Sequence, residues 1–242
     1  MNSDFRGSPC DNSYENTIHK RMNFILENLD LHENHSILDI GCGHGIYLHE
    51  LCKYTKNCVG IDFTHHDFEG NKKSEFIQMS AENLGFQNET FDKIIMIEVI
   101  EHLFNDSKAL HEIRRVLKPS GSIVLTAPNK LFLFETHGMK IGSRIISSHG
   151  FGFPILPYLP FIVRKYITNA KVYTPSNIVQ LLANNGFQIG KMNYLMPNLD
   201  KLSKKSSRIK KPIRYIQNYV KKIETSYFKE LSETIIIFAE KV

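Results

Sequence analysis

The feature that most constrains this fold is a rhythm: from His35 onward, short β-branched runs alternate with stretches of helical periodicity. SILDI (36–40) reads as a buried strand, followed by GCGHG and a helical run to about Tyr54. NCVGID (57–62), EFIQMS (75–80) and FDKIIMI (91–97) read as three further strands. Leu110, Ile113 and Leu117 then recur at helical spacing behind the capping candidates Asp106 and Ser107. The turn KPSG (118–121) leads into SIVLTAPN, a fifth strand. Strands alternating with helices pair in parallel through right-handed crossovers, which puts helices on both faces of the sheet. The expectation is a doubly wound, Rossmann-like α/β fold.

Residues 130–172, rich in Phe, Pro, Gly and His, break the rhythm and read as an insertion. Regular structure resumes at Thr174, which suits an N-cap, with Pro175 at the first helical position and Gly186 as the stop. FQIGKMNYL (187–195) and SETIIIFAE (232–240) read as a closing strand pair. The chain is expected to form a single domain, 1–242, with an N-terminal helical cap (1–34), a cofactor-binding core (35–129), the insertion or lid (130–172) and a closing part (173–242).

At 242 residues the chain is long enough to bury a sizeable apolar core. Its net charge of +5 is local: Lys201 to Lys222 holds nine Lys/Arg and no acid, and the remainder is net acidic. Cys10, Cys42, Cys52 and Cys58 form no CxxC pair, which argues against a zinc knuckle and for reduced thiols. The start of the chain has no apolar signal region, and FGFPILPYLPFIV (151–163) is too short and too proline-rich to span a bilayer. A cytoplasmic location, with membrane association through the basic segment, is expected.

LDIGCGHG places Gly41, Gly43 and Gly45 between a strand and a helix, where residues without Cβ let a ligand approach the backbone. Asp62 ends the next strand, where a carboxylate accepts ribose hydroxyls. Together they point to an adenosine-containing ligand. Ile46 stands where a GxGxxG dinucleotide site has its third glycine, which counts against an NAD-dependent oxidoreductase.

These residues, with SAENLGF (80–86), FDKIIMIEVIEHL (91–103) and IRRVLKPSGSIVLTAPN (113–129), resemble the class I S-adenosylmethionine-dependent methyltransferases. The resemblance implies a mostly parallel seven-stranded sheet closed by an antiparallel C-terminal pair, and S-adenosyl-L-methionine as cofactor. It implies that Asp39, Gly41, Cys42 and Gly43 line the methionine end. Asp62 and Phe63 would lie at the ribose, Ser80, Ala81 and Glu82 near the adenine, and Glu98 beside the cofactor. Ser80 departs from the pattern, since the family often has an acid there.

MIEVIEHL (96–103) carries the acceptor side of the expected site. In a helical turn, Glu98, Glu101 and His102 share one face. Two carboxylates and an imidazole suit Mg²⁺ or another divalent cation. The E-x-x-E-H pattern is similar to that of the metal-assisted O-methyltransferases of ubiquinone biosynthesis and of small RNA; a fourth ligand would come from the insertion, where His137 or His149 is available. Without a metal, Glu101, His102 and His137 are the catalytic candidates, and acids at a helix start also serve its dipole.

Ile145, Ile146, Phe151, Phe153, Leu156, Leu159 and Phe161 would line a lid over an apolar acceptor, or pack as core. Residues 201–222, with Ile213, Ile216, Val220 and Ile223 at helical spacing, would lie on an anionic membrane, contact RNA phosphates, or pack with a solvated face. The function expected is methyl transfer, with oxygen of a small-molecule or lipid-like acceptor as its target and RNA ribose as an alternative. A cofactor-binding module without catalysis is the reading from another class.

Overall fold

The computed structural model describes residues 12–55, 57–64, 74–132, 134–135, 139–141, 144–146, 153–154, 156–160, 163, 166–168, 170–196 and 229–242. Along these run α1 (Asn12–Asn28), β1 (Ser36–Ile40), α2 (Ile46–Leu51), β2 (Asn57–Asp62), β3 (Ser74–Gln78) and β4 (Phe91–Met96). There follow α3 (Asp106–Val116), β5 (Leu117–Pro128), β6 (Phe134–Glu135), β7 (Met139–Ile141), β8 (Arg144–Ile146) and β9 (Phe153–Pro154). The series closes with α4 (Pro175–Asn184), β10 (Phe187–Leu195) and β11 (Thr234–Lys241).

One seven-stranded sheet has the order β10-β11-β5-β4-β1-β2-β3. Its members from β5 to β3 pair in parallel, and β11 runs antiparallel to β5. The chain moves outward from β1 to β3, then returns to lay β4 against the other side of β1. Strand order therefore reverses between β1 and β4, and at their carboxyl ends such a reversal opens a ligand crevice. The expected doubly wound fold with its closing strands is what forms.

Burial explains the runs that mark the sheet. Leu38, Ile40, Ile61, Ile94, Met96, Ile123 and Leu125 join one core with Ala109, Leu110, Ile113 and Val116 of α3. Thr174 caps α4 by accepting from the Asn177 N–H at 3.2 Å, Pro175 opens the helix, and Gly186 follows it at φ +79°. All three match expectation.

Two local readings change. The cap of α3 is Asn105, whose side chain accepts from the Lys108 N–H at 3.0 Å, rather than Asp106 or Ser107. KPSG is an irregularity inside β5, which already pairs with β4 at Leu117; the register shifts across it and Ser120 takes φ +60°.

The chain divides into two compact units. One, residues 25–130, 170–194 and 234–242, holds the seven-stranded sheet. The other comprises 1–24, 131–169 and 195–233. Within it, β6 pairs antiparallel with β9 and β7 with β8, Leu156 is buried, and the Tyr158 hydroxyl donates to the Leu131 carbonyl at 2.8 Å. The insertion thus contains short strand pairs that its Pro and Gly content concealed. Phe151, Phe161 and the basic segment 201–222 lie outside the described residues, as do His137 and His149. Among the described residues, no helix is long and apolar enough to cross a membrane.

Candidate active site

At the end of β1 the Gly41 and Cys42 N–H groups both donate to the Ile61 carbonyl, at 2.8 and 3.0 Å, swinging the chain across β2. Gly41 has φ +72°, and a Cβ there would stand 2.2 Å from Val99 Cγ2. Its missing side chain is what lets the turn after β4 press against this loop. Gly43, at φ +52°, differs: a Cβ there would meet nothing within 4 Å, so its backbone faces open space. The Cys42 side chain points the other way. A Cβ on Gly60 would lie 2.8 Å from Cys42 Sγ, and burial, with Asp39 and Asp62 nearby, pushes that thiol's pKa up. Cys42 therefore offers its backbone to the site while its thiol stays in the core.

Asp39 is 2% exposed, and its Oδ2 is buried without a hydrogen-bond partner. Burial above all, then the charge of Asp62, raises its pKa to about 8, with a hydrogen bond from the Leu48 backbone opposing the shift. A buried acceptor left unmatched is rare enough to need a reason, and an ammonium group held at this loop would satisfy it. Asp62 is held for orientation: its Oδ2 accepts from the Gly43 N–H at 3.0 Å, and its Oδ1 from the Thr64 N–H and hydroxyl, each at 2.9 Å. Phe63, next in the chain, is 76% exposed. These features fit a zwitterionic adenosyl ligand with its amino acid end at Asp39.

The loop after β3 is braced toward α3. The Ser80 hydroxyl accepts from the Glu82 N–H at 3.2 Å, and Ala81 is buried in the core. Glu82 Oε1 accepts from two successive amides, Phe104 N–H at 2.7 Å and Asn105 N–H at 3.0 Å. Glu82 thus spends one oxygen on the chain leading into α3.

After β4 the chain takes an unexpected shape. Glu98 has φ +57°, a left-handed conformation unusual for a residue with a side chain. Its N–H donates to the Thr126 hydroxyl at 2.9 Å, and that hydroxyl donates to Glu98 Oε1 at 3.1 Å. The following helical turn is a single 3-10 turn, Ile100–His102. Glu98 therefore precedes it, and the expected common face of Glu98, Glu101 and His102 does not form. Glu101 has a fully buried side chain, whereas that of His102 is 46% exposed, with Nε2 3.8 Å from Glu101 Oε1. Among the described residues, no three His, Cys, Asp or Glu side chains come together as a metal site. Glu98, Glu101 and His102 alone do not fit a divalent centre.

Sequence reasoning missed the strap over this turn. The Lys171 N–H donates to the Glu101 carbonyl at 3.0 Å. The Tyr173 hydroxyl lies 3.2 Å from the Ile100 carbonyl and 2.9 Å from Asp106 Oδ2, and Lys171 Nζ pairs with Asp106 Oδ1. It missed Thr126 too, which reads as one more β-former in its strand.

Residues 38–125 match a family model described as a methyltransferase domain. The ubiquinone biosynthesis O-methyltransferase of Aliivibrio fischeri (strain MJ11) is 29% identical over 132 residues, 50% of this chain and 56% of that protein. The protein of the same name from Rickettsia canadensis is 26% identical over 193 residues, covering 75% and 76%. The chain thus spans little more than half the length of the first of these relatives. Among solved structures, an S-adenosylmethionine-dependent methyltransferase described as putative, from Listeria monocytogenes, superposes with TM-score 0.61 at 14% identity, covering 93% of this chain and 99% of that one.

Proposed function

We propose that the chain, whose core is a class I S-adenosylmethionine-dependent methyltransferase domain, methylates an oxygen of a small or lipid-like acceptor. The observation that carries the cofactor assignment is Asp39 Oδ2, buried and unmatched in the strand that leads into the glycine loop. The choice of oxygen draws on relatives named O-methyltransferases.

When bound, S-adenosylmethionine supplies a methyl group activated by its sulfonium, which the acceptor oxygen takes as the carbon–sulfur bond breaks. The chain's part is to bind and align, and alignment supplies much of the rate in such a displacement. Asp39 accepts from the ligand's ammonium group, Asp62 from its ribose, and Gly43 admits it to the backbone. On the acceptor side, the exposed His102 imidazole takes the hydroxyl proton, and the buried Glu101 carboxylate beside it stabilises the imidazolium. The basic segment 201–222 would hold the protein near an anionic membrane carrying lipid-like acceptors.

Calorimetry with S-adenosylhomocysteine and with NAD tests the cofactor, and preference for NAD would end this reading. Turnover of catechols with S-adenosylmethionine tests the acceptor atom. His102→Ala should cut kcat by roughly a hundredfold or more while leaving S-adenosylhomocysteine affinity unchanged.

A further inference from the structure

Phe104 is 96% exposed, more than any other large apolar side chain among the described residues. Single exposed apolar residues are ordinary on protein surfaces, but here side chains of other elements hold the backbone on both sides. The Phe104 N–H donates to Glu82 Oε1 at 2.7 Å, and the next N–H, of Asn105, donates to the same oxygen at 3.0 Å. The Phe104 carbonyl lies 3.5 Å from Lys171 Nζ, and the Asn105 side chain closes the segment by capping α3. Glu82 is itself set by a turn in which Ser80 Oγ accepts its N–H at 3.2 Å. An aromatic ring two residues beyond His102 is therefore presented to solvent on an immobilised backbone, at the carboxyl edge of the sheet.

We propose that Phe104 is a specificity-determining residue, which packs on a hydrocarbon chain carried by the acceptor, and that Glu82 is the positioning residue that presents it. A rigid aromatic loses little conformational freedom on binding and offers a large apolar face, which suits it to this role. The proposal rests on the methyl-transfer reading above.

The test uses the full chain, S-adenosylmethionine, and catechol beside its 4-butyl, 4-hexyl and 4-octyl derivatives. In the unaltered protein KM falls as the chain lengthens. Phe104→Ala removes that fall, raising KM for 4-octylcatechol roughly tenfold or more, while KM for catechol, S-adenosylhomocysteine affinity and Tm stay unchanged because the side chain buries almost nothing. Phe104→Leu keeps most of the dependence. Glu82→Ala, which loses both backbone bonds, likewise removes the fall of KM with chain length, and Glu82→Gln, whose amide oxygen still accepts both N–H groups, restores it. A chain-length dependence untouched by Phe104→Ala overturns the proposal alone. Failure of the unaltered protein to turn over any catechol overturns the oxygen-transfer reading and the proposal with it.

Discussion

Thr126 and Glu98 close a reciprocal pair: one hydroxyl accepts the Glu98 N–H at 2.9 Å and donates to the Glu98 carboxylate at 3.1 Å. The pair binds β5 to the turn after β4 and holds Glu98 at φ +57°. Val99, the next residue, packs on Gly41, so the same turn is registered against the glycine loop. Thr126→Val keeps the shape but removes both bonds, and should cost about 1–3 kcal/mol in urea unfolding. Thr126→Ser should cost less and keep S-adenosylhomocysteine affinity, which Thr126→Val weakens. Glu98→Gly should exceed Glu98→Ala in stability by about 1 kcal/mol, because only glycine adopts this conformation without strain.

Gly41 and Gly43 share a left-handed backbone but differ in what surrounds them. A methyl group on Gly41 meets Val99 Cγ2 at 2.2 Å, so Gly41→Ala adds a clash to the cost of positive φ. Combining it with Val99→Ala should recover about 1 kcal/mol, a coupling readable in a double-mutant cycle. Gly43→Ala carries only the conformational cost, about 1–2 kcal/mol. Its added carbon projects into the space that the cofactor would take, so calorimetry should show S-adenosylhomocysteine affinity falling by roughly tenfold or more.

Strands and helix ends were legible because each carries its own signal. The run SILDI is apolar at every buried position of β1 but Asp39, and Thr174, Pro175 and Gly186 mark the ends of α4 by local chemistry alone. The start of α3 was not. Asn105, Asp106 and Ser107 are all competent caps, and what frees Asp106 for another task is a contact with Lys171 and Tyr173, far along the chain. Glu98 failed for a similar reason. No glycine or asparagine announces a left-handed residue there, and the hydroxyl that holds it sits in a strand paired beside it. The spacing Glu98, Glu101, His102 reads as one helical face because a periodic pattern cannot show where a helix begins.

Asp39 should make stability and cofactor binding depend on pH in opposite ways. Its folded pKa of about 8 lies above the ordinary value of 3.8, so the native state keeps a proton that the unfolded chain releases. The contribution is fully present below about pH 3.8 and is lost as pH rises through about 8. A cationic ligand group favours the carboxylate, so affinity for S-adenosylmethionine should rise as pH approaches about 8. Asp39→Asn should flatten both profiles, lose affinity, and unfold at higher urea than the unaltered protein at alkaline pH. Parallel profiles for the two proteins would show that Asp39 does not titrate in this range.

The strap at Lys171 and Tyr173 should affect turnover without touching cofactor binding. Its bonds reach the Glu101, Ile100 and Phe104 carbonyls and Asp106, all on the chain between β4 and α3 or at the start of α3. Tyr173→Phe removes one buried hydroxyl, at a cost of about 1–2 kcal/mol, and loosens the turn that presents His102. The expected result is a lower kcat/KM for catechol at unchanged S-adenosylhomocysteine affinity. Asp106→Asn should act on the same unit, so the double variant should lose less than the two single losses combined. Additive losses, or an equal fall in cofactor affinity, would mean that the strap supports the fold at large rather than the acceptor side of the site.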